Sequence, residues 1–230
     1  SRKTVGHSGA VYGYSTSFLV LPTEKLAVII LGNEDIANGR IHRIQRTALS
    51  LLLNAKFGDQ LPSKPEPYVP NDLTKYAGEF ESKSYWAKIK LVDGKLVGDI
   101  SGQPTYFSPT GELTFKANGR INDSSNVRFE ENEGSAVIGF EMSGQRYVRI
   151  PDNPTPLPSE WRSVLGSYGL DFIPLVITER HGHLYAMTEN MVDYRLTPVN
   201  RNVCALPPGM YTDEEVVFLP GGDGTIQAID

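Results

Sequence analysis

The first residues that could do chemistry are a histidine and a serine between two glycines, in the segment Gly6-His7-Ser8-Gly9. An imidazole can accept or donate a proton near neutral pH. A serine hydroxyl can act as a nucleophile or as a hydrogen-bond partner. The flanking glycines have no Cβ atom, so a substrate could approach this backbone closely.

The elements that must position these residues are two apolar segments, Ser15 to Leu21 and Lys25 to Leu31, which predict two strands of a β-meander. Two other interpretations stay open. In the first, Ser8 is the nucleophile of an α/β-hydrolase elbow, which requires a buried strand before the serine and a helix after it. The β-branched and aromatic segment 11–20 argues against that helix. In the second, the segment is a surface hairpin and His7 is incidental.

The order of these motifs resembles the end of the transpeptidase-like domain of the serine β-lactamase and penicillin-binding-protein superfamily. The resemblance is carried by His7-Ser8-Gly9, by Gly13-Tyr14-Ser15 and by the apolar segments 18–22 and 26–33. In that family a Lys-Thr-Gly or His-x-Gly box lies on a strand lining the active site. The resemblance implies a catalytic role for His7, in contact with the substrate or the base network, and substrate binding by Ser8 and Gly9.

The same resemblance implies hydrolysis of an amide or ester bond through an acyl-enzyme, as in D-aminopeptidases, carboxypeptidases or esterases. The chain departs from the family because it contains no Ser-x-x-Lys motif, and Ser124-Ser125-Asn126 follows the box instead of preceding it. We therefore interpret the chain as the C-terminal portion of such a hydrolase. Its predicted partners are a small-molecule or peptide substrate and a missing N-terminal catalytic portion of the same protein.

The composition excludes several classes of partner. The 230 residues carry a formal net charge of −5 without a basic run, which argues against nucleic acid. No segment is long and apolar enough to predict a membrane-spanning helix. The single cysteine, Cys204, predicts a small buried apolar side chain. We expect neither a cofactor nor a bound metal, and both the periplasm or cell envelope and the cytoplasm of a bacterium stay open as compartments.

Prolines and turn residues divide the chain into five parts. Residues 1–57 form the piece of the hydrolase domain and end in a helix, with N-cap candidates Asn33, Asp35 and Asn38 and a stop at Gly58. Isolated from the rest of that domain, this piece would expose an apolar sheet face and an edge strand. Proline-rich linkers are predicted at 58–72 and 151–160, and β-barrel domains at 73–150 and 161–230.

The two predicted β domains repeat each other. Segment 76–80 matches 164–168, and segment 92–96 matches 180–184; three further matches pair 107–109 with 196–198, 127–129 with 216–218, and 137–140 with 225–228. The first copy shows eight candidate strands, typical of a closed barrel. The predicted fold class is therefore mainly β: a short β-meander with the C-terminal helix of a transpeptidase-like α/β domain, then two tandem antiparallel eight-stranded barrels, the second lacking its last strand. The family resemblance implies that these barrels are lipocalin-like.

Two further motifs have weaker chemical interpretations. His181 and His183 flank Gly182 and could chelate a metal from a hairpin turn, although spacing fixes no acidic or cysteine partner. The segment Gly221 to Gly224 predicts a β-turn rather than a phosphate loop, because no helix follows it. Two functional classes therefore remain, a hydrolase whose barrels shape substrate access and a non-catalytic binding or structural module. In the second class the barrels hold a small apolar ligand or a protein partner.

We predict that this chain alone has no hydrolase activity, because acyl transfer requires an activated serine with its base within hydrogen-bond reach. The measurement is turnover of a chromogenic cephalosporin, a p-nitrophenyl ester and a D-amino-acid anilide. Turnover that disappears in Ser8→Ala would instead identify Ser8 as the nucleophile.

Overall fold

The computed structural model describes residues 2–11, 13–63, 66, 68–188, 192–208, 213–222 and 225–230. These residues are mainly β, as predicted. Contacts divide the chain into two compact units, the first formed by residues 1–71 with 104–127 and the second by 72–103 with 128–230. The five predicted parts are consecutive segments of the chain, whereas each contact-based unit combines two separate segments. The two divisions cannot be compared directly, so the predicted boundaries stay predictions. Pro65 and Pro67 of the first predicted linker and Asp223 and Gly224 of the predicted turn lie outside the described residues.

The N-terminal part of the first unit is a three-stranded antiparallel sheet covered by one helix. Its elements in chain order are β1 (Val5–Val11), β2 (Tyr14–Leu21), β3 (Leu26–Gly32) and α1 (Asn38–Phe57). Alternate side chains on the strands point to opposite faces, and on the helix side of β2 and β3 Ser15, Ser17 and Val28 are buried. The structure shows this sheet and helix for the segment, and it does not show a transpeptidase-like domain.

The opposite face of the sheet is open, as the sequence predicts. Phe18, Ile29 and Leu31 keep 41%, 65% and 77% of their surface exposed. Such a concentration of exposed apolar side chains is uncommon on a monomeric surface.

The beginning of α1 differs from the prediction. Ala37 occupies the N-cap position and makes no side-chain cap, so none of the three predicted residues caps the helix. Instead, Ser15 Oγ accepts a hydrogen bond from the Ala37 N–H at 2.8 Å, and the Arg120 carbonyl accepts one from the Gly39 N–H at 2.8 Å. Distant residues thus satisfy the free N–H groups of the first turn. The C-terminus is as predicted, because Gly58 adopts the left-handed conformation and its N–H donates to the Asn54 carbonyl.

The next eight strands form a closed antiparallel barrel, which confirms the prediction for the first repeat. They are β4 (Gly78–Glu81), β5 (Trp86–Val92), β6 (Lys95–Ile100), β7 (Gln103–Pro109), β8 (Thr114–Gly119), β9 (Ser125–Glu131), β10 (Val137–Met142) and β11 (Gln145–Arg149). Aromatic side chains fill the interior, where Phe80 and Phe140 meet edge to face with centroids 5.2 Å apart and Phe140 stacks on Tyr147 at 4.4 Å.

The second repeat does not form the predicted barrel. Its described residues build two four-stranded sheets, β12-β13-β14-β15 and β16-β17-β18-β19. The strands are β12 (Gly166–Leu170), β13 (Ile173–Arg180), β14 (His183–Thr188), β15 (Val192–Arg195), β16 (Thr197–Asn200), β17 (Val203–Ala205), β18 (Glu215–Pro220) and β19 (Ile226–Ile229). The segment that matches β7 is divided between β15 in the first sheet and β16 in the second, with Leu196 between them.

Local geometry nevertheless supports the repeat itself. Gly78 and Gly166 occupy matching positions and have φ angles of 156° and 158°. The matching turns at Asp93-Gly94 and His181-Gly182 both place two successive residues at positive φ. The two copies therefore share local backbone geometry while they differ in how their sheets close.

We predict that Gly39→Ala destabilises the protein. Alanine normally stabilises a helix relative to glycine, but a Cβ at this buried position would lie 2.7 Å from the Asn122 carbonyl oxygen and 2.8 Å from that of Arg120. Overpacking of this kind costs about 1–3 kcal/mol, which the free energy of unfolding in urea will measure. Gly134→Ala is the control, because its Cβ comes no closer than 3.4 Å to Asn132 Oδ1. Unchanged or increased stability of Gly39→Ala would contradict the packing of α1 on this backbone.

Candidate functional site

The structure places the three predicted site residues in the middle of β1. His7 pairs with Phe18, Ser8 with Ser17 and Gly9 with Thr16. Every residue of β1 is exposed. Because β1 continues through a hairpin into β2 and no helix follows Ser8, the structure excludes the nucleophile elbow.

Alternation along β1 separates the two polar side chains. His7 lies on the open apolar face with Phe18, whereas Ser8 lies on the face that α1 covers farther into the sheet. The two side chains therefore cannot converge on one reacting atom. Gly6 has a structural reason to be glycine, because a Cβ there would lie 2.6 Å from the Phe18 carbonyl oxygen. The roles assigned to His7, Ser8 and Gly9 stay predictions.

A second candidate site is a groove of about 920 Å³ in the second unit. It is lined by the end of β4 and the residues after it, by the β10–β11 hairpin, by the segment 150–158, by the β13–β14 turn, and by Arg195 and Pro208. The proline-rich segment packs tightly on the turn, because a Cβ on Gly182 would clash with the Thr155 carbonyl oxygen. The volume of the groove is within the range typical of small-molecule sites.

Glu81, at the end of β4, is a carboxylate of this groove that three side chains contact. The Tyr185 hydroxyl donates to Glu81 Oε1, His183 Nδ1 lies 2.9 Å from Oε2, and Arg195 Nη1 lies 3.0 Å from the same oxygen. Burial, followed by the contact with this carboxylate, raises the pKa of Tyr185, so its hydroxyl stays protonated and remains a donor. The carboxylate thus has one full charge partner and two additional hydrogen-bond partners.

Glu79 forms a parallel set of contacts two residues earlier. It accepts hydrogen bonds from Lys88 and from His181 Nε2, and these partners hold the pKa of its carboxyl below the ordinary value, Lys88 contributing most. Glu79 and Glu81 share the outer face of β4, while Phe80 between them points into the barrel and is fully buried.

The two histidines meet these glutamates one to one. His181 pairs with Glu79 and His183 with Glu81, so the predicted hairpin turn is present but its imidazoles bind separate carboxylates. Among the described residues no group of three or more His, Cys, Asp or Glu side chains could hold a metal ion. The sequence did contain a signal for this pairing, since Glu79-x-Glu81 and His181-x-His183 have the same two-residue spacing.

Further contacts extend the polar surface along the same strands. The Trp86 indole N–H donates to Asp193 Oδ2 at 2.6 Å, and the Arg180 guanidinium stacks 3.7 Å from the Trp86 ring centroid. Both partners of Trp86 belong to the second repeat, and only 5% of the Trp86 surface is exposed. Cys204 is buried, as predicted, and burial raises the pKa of its thiol to about 12.

None of the helices among the described residues combines the length and the apolar composition that a bilayer crossing requires. This agrees with the prediction that no helix of the sequence spans a membrane.

Comparison with known proteins returned only distant structural similarity. No family model matches the chain, and no curated protein matches it either. Among solved structures, a crystal structure of SurE with D-Leu is similar with a TM-score of 0.32 and 19% identity, covering 64% of this chain and 35% of that chain. A second crystal structure of SurE is similar with a TM-score of 0.33 and 18% identity, covering 63% of this chain and 34% of that chain. The chain thus spans about a third of the length of the solved chains it matches.

These comparisons contradict the predicted membership in the serine β-lactamase and penicillin-binding-protein superfamily. The structures found carry the name SurE, and no family model of β-lactamases or penicillin-binding proteins matches. The resemblance rested on a short box and on the order of two apolar strands, and short apolar strand pairs occur in many unrelated sheets. The family assignment, with the β-lactamase-related and D-aminopeptidase-like classes that came with it, is therefore wrong. Hydrolysis of an amide or ester bond stays a prediction.

We predict that Glu79 contributes to stability in a pH-dependent manner. A lowered carboxyl pKa means that this contribution is fully present above the ordinary value of 4.5 and is lost as the pH falls through the lowered value. The melting temperature of Glu79→Gln should therefore lie below that of the native chain at about pH 6, and the difference should shrink towards about pH 3. Glu133→Gln, at an exposed position, is the control. A difference that stays constant with pH would show that the Glu79 charge is not linked to folding.

Proposed function

We propose that the chain is a non-catalytic binding module whose groove in the second unit takes a small anionic ligand with an apolar body. The observation that carries the proposal is the charge of the groove lining. Lys83, Arg146, Arg149 and Arg195 line the groove, and Glu81 is the single carboxylate among the described lining residues. This occurs in a chain whose formal net charge is −5.

The internal pairing of these groups leaves an excess of positive charge. Arg195 pairs with Glu81, and Arg146 pairs with Glu130, with Nη2 and Oε2 2.7 Å apart. Lys83 is exposed, and no hydrogen bond or ion pair engages it within the described part of the chain. Its ammonium group can therefore bind an anion without breaking an existing contact.

Arg149 adds a second uncompensated charge. Its guanidinium donates to the carbonyls of Val137, Ala77 and Lys75 at 2.6, 3.0 and 2.9 Å. These carbonyls satisfy the N–H groups but carry no formal charge, and burial lowers the pKa of Arg149 because its cation is partly desolvated. A bound anion would supply the missing counter-charge.

The remaining lining supports an apolar body on the ligand. Val148, Ile150 and the prolines of segment 151–158 form one wall of the groove. Proline side chains are rigid and lose little conformational entropy when a ligand covers them. An anion with an apolar extension would match both parts of the groove.

The barrel interior is a less suitable site. Phe129 contacts both Tyr76 and Phe140, with ring centroids 4.7 and 5.3 Å apart, and these rings are nearly inaccessible to solvent. Aromatic packing of this kind fills the space that a lipocalin-type ligand would need. The groove, rather than the interior, is therefore the preferred ligand site.

Ser82, which lines the groove, is also already engaged. Ser82 Oγ accepts hydrogen bonds from the N–H groups of Ser84 and Tyr85, at 3.1 and 2.9 Å. It holds a turn and is not activated by a base. This arrangement supports binding rather than acyl transfer at the groove.

We expect the chain to bind a short apolar peptide with a free C-terminal carboxylate, or octanoate, more tightly than the amidated peptide or octanol, measured by isothermal titration calorimetry. Lys83→Glu should raise the Kd for the carboxylates by roughly tenfold, which is about 1.4 kcal/mol.

Lys95→Glu makes the same charge change at an exposed position outside the groove and should leave the Kd unchanged. Equal affinity for acid and amide, or equal effects of the two substitutions, would contradict the groove as an anion site. Preference for the peptide over octanoate, or the reverse, would identify the source of the carboxylate.

A further inference from the structure

We propose that β1 pairs with β1 of a second copy of this chain, antiparallel and about a twofold axis that passes beside Ser8. This inference concerns the first unit and is independent of the groove in the second. The proposed partner at the open edge of the three-stranded sheet is a second copy of the chain. Three observations support it: the sequence of β1, the exposure of β1 and the charges near the ends of β1.

The edge is available and unprotected. β1 pairs with β2 along an unbroken register from Val5↔Val20 to Val11↔Tyr14, and its other edge is not paired within the described sheet. Proteins usually blunt an open edge with lysine, proline or a bulge. The seven residues of β1 include no lysine and no proline, and the register with β2 shows no bulge.

The strand is self-complementary about its centre. In the antiparallel arrangement Ser8 lies opposite Ser8, His7 opposite Gly9, Gly6 opposite Ala10, and Val5 opposite Val11. Each pair is compatible in size, because the imidazole faces a glycine, two small residues face each other, and two β-branched residues pair at each end. A twofold axis requires this kind of match, in which residue i meets j and j meets i.

Charges at the ends of the strand also match. In the antiparallel arrangement the segment before β1 of one copy, which contains Lys3, lies beside the end of β1 of the other, and the Gly13 N–H after that end donates to the Asp35 carboxylate. Lys3 is exposed, and no ion pair engages it within the described residues. Each Lys3 would therefore approach an Asp35 carboxylate of the other copy, and the twofold axis produces this attraction twice.

The other edge of the sheet provides a comparison. β3 also lies at an edge of the sheet, and its centre is Ile29. Substitutions at Ile29 therefore report on pairing through this edge and serve as controls for substitutions at Ser8.

The one side-chain contact to the β1 backbone among the described residues leaves this edge free. The Asn38 side-chain amide donates to the Gly9 carbonyl at 3.3 Å, a long hydrogen bond. Successive residues of an antiparallel strand direct their backbone groups to opposite sides, and the pair Val11↔Tyr14 that closes the hairpin directs those of Gly9 towards β2. The backbone groups that face the open edge are those of Gly6, Ser8 and Ala10.

The first experiment measures mass by size-exclusion chromatography with light scattering at about 100 µM chain, a concentration at which contacts of modest area are populated. We expect about twice the 25.4 kDa of one chain. Ser8→Lys places two lysines opposite each other at the axis and should give a monomer. The matched control, Ile29→Lys, is at the centre of β3 and should remain a dimer. Circular dichroism and the melting temperature verify that both variants fold.

The second experiment is disulfide cross-linking. Directly opposed residues of antiparallel strands have Cα atoms about 4.5–5.5 Å apart, within the range that a disulfide spans. Ser8→Cys should form a covalent dimer on mild oxidation, and Ile29→Cys should not. The native Cys204 is fully buried and will not compete. A monomeric native chain, a dimer that persists in Ser8→Lys, or cross-linking through Ile29→Cys and not Ser8→Cys would each overturn the proposal.

Discussion

The structure depends first on how strand edges satisfy their backbone N–H and C=O groups. In the first barrel, β11 pairs with β10 on one side and with β4 on the other, so the sheet closes and no edge remains. Arg149 at the end of β11 reinforces the closure, because its guanidinium lies against Gly78, stacks over Phe80 and bonds three carbonyls. In the second repeat the described strands form two four-stranded sheets, and neither closes on itself. The N-terminal sheet also stays open, and this is why its edges are the natural place for a partner.

Sequence reasoning was successful where local rules decide the structure. Alternating apolar residues and turns located the eight strands of the first barrel, and Gly58 marked the end of α1 because a left-handed C-terminal residue favours glycine. The prediction was wrong at the start of α1, where a local N-cap side chain was expected. Ser15 and Arg120 instead accept hydrogen bonds from the N–H groups of the first turn. No local pattern reveals an N–H that is satisfied by a residue 81 positions away in the chain, as between Gly39 and Arg120. Sequence reasoning also failed for the second barrel, because matching strand patterns in the two repeats do not determine how the strands pair into sheets.

The candidate site, like the fold, was predicted from the sequence only in part. The box at His7 was located on a strand correctly, but its functional interpretation depended on a family that the comparisons contradict. His181 and His183 were recognised as a turn with possible chemistry, and their partners were not. Glu79 and Glu81 precede them by 102 residues, and the pairing becomes visible only once β4 and the β13–β14 turn face each other. Spacing can suggest which pairs would fit, but the packing of the elements determines whether they meet.

Duplication explains why this contact joins two repeats and extends no further. The repeat alignment matches His181 and His183 with Asp93 and Lys95 of the first copy, and Glu79 and Glu81 with Ser167 and Gly169 of the second. Both turns retain the same pair of positive φ angles, so the backbone was preserved while the side chains diverged. The first copy therefore supplies only the carboxylates and the second only the imidazoles. A head-to-tail contact between identical repeats would propagate into an open array. Ser167 and Gly169 provide no carboxylate, so the second copy cannot offer the same contact to another turn. Glu81, His181 and His183 instead line the groove between the two repeats.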